Sequence, residues 1–310
     1  MQAIPRSVLE AHQVLVEGEP PWRQRLRLLQ ALWREEQGLP IGQHERGGYA
    51  RPLGSRIAMP GAQQQLSNYL TDTIREIVRA ELDDPHAKAL GKLYAAPRVY
   101  DDLLSSQPMC FNLFGELKAD LDLAGDVARH LWPDRVESVT RIEFEHSPGR
   151  GDPTYTANRS AFDVYLEHTH PAGGKGFIGI EVKYHEDLKV GAAENRKRTD
   201  EVALQSGVFI AERFEELRRP PLQQVWFDHL LALSMVQAGG WTSGLFVFLH
   251  PVANERCYRV INSYQQTLLS ADTFQRLTLE EFVAALRLST TQQWVRDFNR
   301  RYLEYDRAID

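Results

Sequence analysis

Residues 160–186, SAFDVYLEHTHPAGGKGFIGIEVKYHE, decide the fold. Two runs rich in β-branched and aromatic residues flank Pro171-Ala172-Gly173-Gly174, a strong turn signal, and predict an antiparallel hairpin. Centring the turn near Ala172 pairs Asp163 with Glu181, Val164 with Ile180 and Tyr165 with Gly179. The faces agree with that register. Phe162, Val164 and Leu166 make one apolar side, matched by Ile178, Ile180 and Val182 on the next strand. The opposite side carries Asp163 and Glu181 as neighbours, with Lys183 two residues further on. Slipping the pairing by one residue would set carboxylates among aliphatic side chains, so the pattern selects its own register.

Working outward, residues 137–146 (ESVTRIEFEH) have the same texture and add a strand before the hairpin, giving a three-stranded meander. A helical stretch from about Met109 to Leu131 precedes it. A charged helical stretch (192–217), a helix from Leu222 to about Ala238 and a short apolar strand, Gly244 to Leu249, follow. The remainder to Asp310 reads as a helical tail. Nearer the start, helical spacing marks Pro21 to about Gln37 and Gln64 to Leu82, separated by a Gly/Arg-rich connector from Gly38 to Gly61. The order is α/β with a mixed sheet. The expected division is a helical N-terminal extension over residues 1–100 and an α/β domain over residues 101–310.

Composition narrows the class. Apolar residues make up 43% and charged residues 25% of 310, the balance of a soluble globular chain, which excludes disordered and collagen-like designs. The net charge of −6 means that any nucleic-acid contact must come from a local patch. Cys110 and Cys257, far apart, argue against a disulfide framework and a cysteine zinc site and fit a reducing compartment. The N-terminus does not read as a signal peptide, and no apolar run approaches the roughly 20 residues of a membrane helix. The expectation is a cytoplasmic protein with no membrane partner.

Two facing carboxylates repel unless a positive charge sits between them. Hard oxygen ligands suit Mg²⁺ or Mn²⁺, which bind through one or two carboxylates and keep several waters. A lysine on the same face can orient or deprotonate an attacking water, or stabilise developing negative charge. The implied chemistry is metal-assisted phosphodiester hydrolysis with Asp163, Glu181 and Lys183 as its centre. The plain alternative is a solvated strand face carrying an Asp…Glu-x-Lys pattern by chance. Gly179, on the same face, leaves room beside Glu181 and favours the site.

With Asp163 on the second strand and Glu181-Val182-Lys183 on the third, the segment resembles the core of the PD-(D/E)XK, restriction-endonuclease-like nuclease superfamily, of αβββαβ order. The stretches LLSSQPMCFNLFG (Leu103–Gly115), Ser160–Glu186 and LQQVWFDHLLA (Leu222–Ala232) are similar to a bacterial family of restriction-endonuclease-like proteins, over roughly residues 50–290. Phe162 stands where the superfamily name has proline, a departure that many members share. The resemblance implies a divalent-metal-dependent nuclease, with DNA the favoured substrate and defence or DNA processing the setting. It implies Asp163 and Glu181 as metal ligands, the Val182 carbonyl as a further one, and Lys183 as the catalytic cation. The helix before the sheet often adds an acid in that fold, which nominates Glu116, with Asn112 in a positioning role. Glutamine at the start of the following helix nominates Gln224. A homodimer or a place in a larger complex is compatible with the fold. The competing readings are a non-catalytic nuclease-fold subunit that binds nucleic acid or protein, and a small-molecule metalloenzyme using the same carboxylates.

Outside these, Glu143 and Glu145 alternate with Ile142 and Phe144 on the first strand, and Glu145 is a candidate for the cleft. Arg196-Lys197-Arg198 is a basic cluster suited to a phosphate backbone, and Tyr165 is a candidate for stacking on a base. His168, His170 and His185 raise zinc, but the register sends His185 to the other end and the other face. Zinc is therefore not expected. No phosphate-cradling glycine motif of Walker or Rossmann type occurs.

Overall fold

The computed structural model describes residues 3–46, 49–188 and 197–308. The chain forms two compact units: Met1–Asp84 with Tyr94–Glu116 and Thr291–Asp310, and Pro85–Leu93 with Leu117–Thr290.

The first unit is built on the helix Pro21–Glu36, started by a proline in its first turn, where the missing N–H costs nothing. It buries Leu26, Leu28, Leu29, Ala31 and Trp33. The stretch expected as a connector is instead an antiparallel hairpin, β1 (Ile41–Arg46) and β2 (Tyr49–Ile57). Its glycines mark close approach of backbones. A Cβ on Gly42 would lie 2.4 Å from the Ile57 carbonyl oxygen, and one on Gly54 would lie 2.1 Å from that of His12. The helix Gln293–Tyr302 completes this unit through Arg301, fully buried, which lies over the Trp33 ring at 3.8 Å and donates from Nε to Gln30.

The second unit holds a five-stranded sheet in the order β3-β4-β5-β6-β7, namely Ser138–His146, Phe162–Thr169, Lys175–Val182, Ser243–His250 and Phe274–Thr278. β3, β4 and β5 run antiparallel, and β5, β6 and β7 run parallel, so the sheet is mixed as expected. The β4–β5 register is the one read from the alternation where Val164 pairs with Ile180 and Tyr165 with Gly179, but the ladder stops there and does not include the expected Asp163–Glu181 pair, because the Val182 N–H is taken by the Asp163 carboxylate. The crossover from β5 to β6 contains the helix Gln223–Ala238, as a parallel connection requires. That helix is apolar all round and buried from Gln223 to Met235 apart from Gln224.

Four expectations change. The single helix from Met109 to Leu131 is two, Ser106–Ala119 and Leu121–Leu131, because Asp120 accepts the Leu123 N–H at 3.0 Å and starts a new helix. The C-terminal tail is not all helical: β7 precedes a helix, Leu279–Ser289, started by a Thr278/Glu281 capping box. β5 ends at Val182, one residue short of the Lys183 expected on it, since the Glu186 carboxylate accepts the N–H groups of Tyr184 and His185 at 2.8 and 3.0 Å and turns the chain. Phe162 does not share a face with Val164. Its ring fills the space over Gly179, where a Cβ would lie 2.5 Å from it, and packs near Phe246. The alternation resets at this end of β3 as well, where Glu145 takes a left-handed φ of +51° between Phe144 and His146.

Candidate active site

The hairpin places three of its polar residues in one electrostatic neighbourhood. Glu181, near the end of the buried strand β5, is 4% exposed. Its Oε1 accepts from Lys183 Nζ at 2.5 Å and from Gln224 Nε2 at 2.6 Å. Asp163, half-buried at the start of β4, accepts the Val182 N–H through Oδ2 at 2.8 Å. The Asp163 carboxylate thus stands where a ladder partner would, and ties β4 to the strand that carries Glu181.

Two further acids join them. Glu145 reaches the group from the left-handed position on β3, where Arg150 Nη2 donates to its carbonyl at 3.1 Å and to Oε2 at 3.4 Å. Asp228, one turn beyond Gln224 on the helix Gln223–Ala238, is 5% exposed, and its buried Oδ2 has no hydrogen-bond partner. The sequence pattern alone does not single out Asp228. A weaker signal is available: it is the one carboxylate in an otherwise apolar helix, four residues after Gln224 and so on the same side of it.

The charges explain one another. Burial pushes the Asp163 carboxyl well above the usual range, Glu181 pushes it further, and Lys183 opposes both. Asp228 is raised in the same way, by burial first and then by Glu181. Glu145 is raised by burial against the pull of Arg150. Burial disfavours the Lys183 ammonium, but Glu181, Asp163 and Glu186 outweigh it and hold the charge. Glu186 falls to about 2, because His185, Lys183 and the Tyr184 N–H overcome its burial. Four carboxylates, Glu145, Asp163, Glu181 and Asp228, therefore share a low-dielectric region with two cations, Lys183 and Arg150. The excess is negative.

That excess is the test of fit for a hard divalent cation, and the residues pass it. Among the described residues, Asp163 Oδ1, Glu181 Oε2 and Asp228 Oδ2 receive no protein hydrogen bond. No group of three or more His, Cys, Asp or Glu side chains forms a ready-made cage among the described residues. Two carboxylates with open oxygens would suit Mg²⁺, which binds through one or two carboxylates and keeps several waters.

The chain matches the sequence pattern of a known family over residues 17–304. It belongs to the PD-(D/E)XK nuclease superfamily. Asp163 lies on β4, the middle strand of the β3-β4-β5 meander, and Glu181 and Val182 close β5, with Lys183 just beyond it. No curated protein and no solved structure matches the chain.

The remaining candidates fare differently. Gln224 joins the acids. Asn112 and Glu116 belong to the first unit and are engaged there. Asn112 accepts the Leu70 N–H at 2.9 Å and donates to the Asn68 carbonyl and the Tyr302 hydroxyl at 3.0 and 2.9 Å, while Glu116 accepts from Thr71 at 2.5 Å. A buried amide needs partners, and this one finds them in a structural network. Tyr165 cannot stack on a base in this arrangement. It is 1% exposed, with His146 stacked on it at 4.0 Å and Phe177 and Trp241 around it. Arg198 is held by the Tyr155 and Thr154 carbonyls at 2.8 and 3.2 Å, which removes it as a free phosphate contact. Lys197 is exposed and, among the described residues, faces Glu201 at 3.7 Å. Arg196 lies outside the described residues. His229 is a core histidine between the Tyr264 and Thr273 hydroxyls at 2.8 and 2.9 Å, and burial drops it to about 3. Of the histidines considered for zinc, His168 has its Nδ1 against the Thr169 carbonyl at 3.1 Å.

Proposed function

We propose that this chain is a divalent-metal-dependent nuclease that hydrolyses phosphodiester bonds, with DNA as its substrate. The observation that carries the reading is that half-buried Asp163 and buried Glu181 and Asp228 act on one another and on Lys183, each with a carboxylate oxygen that no described residue donates to. Asp163 and Glu181 would hold Mg²⁺ or Mn²⁺, with the Val182 carbonyl as a further oxygen. When bound, the cation supplies Lewis-acid stabilisation of phosphoryl oxygens and lowers the pKa of water.

The protein's own residues do the rest. Lys183, its ammonium held in place by the Glu181 oxygen, offers positive charge to the oxygens of the scissile phosphate as negative charge grows on them. Gln224 donates to the same Glu181 oxygen as Lys183, which fixes the rotamer of the carboxylate with two donors rather than one. Lys197, exposed, is available to the phosphate backbone of a bound strand.

No helix among the described residues is long and apolar enough to cross a membrane. Both cysteines are buried and neither is in a disulfide, which fits a cytoplasmic, reducing setting.

Calorimetric titration with Mg²⁺ and Mn²⁺, then incubation with plasmid and single-stranded DNA, tests the assignment. Cation binding with cleavage that Lys183→Ala abolishes while the cation still binds supports it. Cation binding without cleavage of either substrate favours a binding subunit of a larger assembly. Cleavage untouched by Asp163→Ala places the chemistry elsewhere.

A further inference from the structure

Asp228 has a property that the two-carboxylate site does not use. It sits in the middle of the buried crossover helix, it is 5% exposed, and its Oδ2 is buried with no donor. Leaving a buried carboxylate oxygen undonated costs on the order of 1–3 kcal/mol or more, and an apolar residue would fit this helix without that cost. Its neighbour one turn earlier, Gln224, donates to Glu181 at 2.6 Å, so the helix face that carries Asp228 is the one turned to the acids. The groups acting on it are Glu181, Asp163 and Glu145 from the sheet and Lys183 beyond β5, three acids and one cation.

We propose that Asp228 is a positioning residue of the cation site, an outer carboxylate that accepts hydrogen bonds from water retained by a cation held on Asp163 and Glu181. It is not a third direct ligand. Among the described residues no three acids form a coordination cage, and a hydrated cation needs acceptors for the hydrogens of its waters. A buried, undonated oxygen on the helix face from which Gln224 reaches Glu181 is such an acceptor. The carboxylate also adds negative charge to the site without taking a coordination position. Gln224 and Asp228 then divide the work of one helix face: the amide orients the direct ligand, and the acid orients the water. This inference rests on the metal-dependent reading given above.

The test is calorimetric binding of Mn²⁺ to full-length wild type, Asp228→Asn, Asp228→Leu and Glu181→Gln, with thermal melts of each in chelator. The expected result is a 10–100-fold weaker affinity in Asp228→Asn with unchanged stoichiometry, the loss usual for removing a hydrogen-bond partner outside the ligand shell. Chelated Asp228→Asn should melt at or above wild type, which separates weaker binding from a damaged fold. Asp228→Leu, which removes the acceptor but keeps an apolar fill, should weaken binding at least as much. Wild-type affinity in both folded variants overturns the inference while the metal-dependent reading stands. Loss of all binding in Asp228→Asn, as in Glu181→Gln, overturns it in the other direction and makes Asp228 a direct ligand. A wild type that binds no divalent cation removes both.

Discussion

Gly179→Ala is the perturbation that most sharply links the fold to the site. A Cβ at this position would lie 2.5–2.6 Å from three ring atoms of Phe162, well inside normal van der Waals contact. Phe162 is fully buried and packs near Phe246, so its ring cannot swing out to solvent. Overpacking of this kind costs about 1–3 kcal/mol. For a unit of this size the melting temperature should fall by roughly 3–10 °C. Because Phe162 immediately precedes Asp163, the displaced ring should also weaken divalent-cation affinity. Phe162→Leu alone leaves a hole and costs about 1 kcal/mol; combined with Gly179→Ala it makes room for the new methyl. Thermal melts of the two single variants and the double variant should then show a favourable coupling of about 1 kcal/mol or more. Strict additivity, or a Gly179→Ala protein that melts with wild type, would refute the claim that Phe162 occupies the space that the glycine opens.

Other consequences are as specific. In chelator, Asp228 and Asp163 are raised above their unfolded values, so their protonated forms favour the fold and stability is lost as pH rises through the folded values. Asp228→Asn should flatten that fall in melts taken from the ordinary carboxyl range upward, and an unchanged slope counts against it. Glu186 has the opposite sign. Depressed to about 2, it stabilises the fold at neutral pH, and that contribution disappears as pH drops from its ordinary value through about 2, a decline that Glu186→Gln should lack in acid titrations. Asn112→Ala strips the Leu70 N–H of its acceptor and removes two donated bonds, which should cost about 2–4 kcal/mol in denaturant melts. Tyr165→Phe should leave single-stranded DNA affinity unchanged in fluorescence anisotropy, and a large drop would show that the ring leaves its pocket to meet a base.

What could be read from the sequence was local and periodic. The β4–β5 register followed from a two-residue alternation around one turn, and with it came the placement of Asp163, Glu181 and Lys183. Asp228 stayed hidden because its helix is apolar on every side, leaving no periodicity to say which face meets the sheet. The β1–β2 hairpin was obscured because Gly42, Pro52 and Gly54 look like loop punctuation, whereas the glycines are there for backbone contact. Tyr165 and Asn112 were misjudged for a related reason: polar atoms in apolar runs signal burial with a partner, and only the tertiary structure shows whether that partner belongs to a network or to a cleft. The reset of alternation at Glu145 and Phe162 depends on a left-handed residue and a filled glycine space, neither of which a pattern of types records.

The most direct measurement is a crystal soaked in Mn²⁺, with its anomalous scattering mapped. The account predicts a peak bonded by oxygens of Asp163 and Glu181, with water between it and Asp228, and its loss in Glu181→Gln. A peak seated elsewhere in the protein, or none at a concentration that supports cleavage, would contradict it.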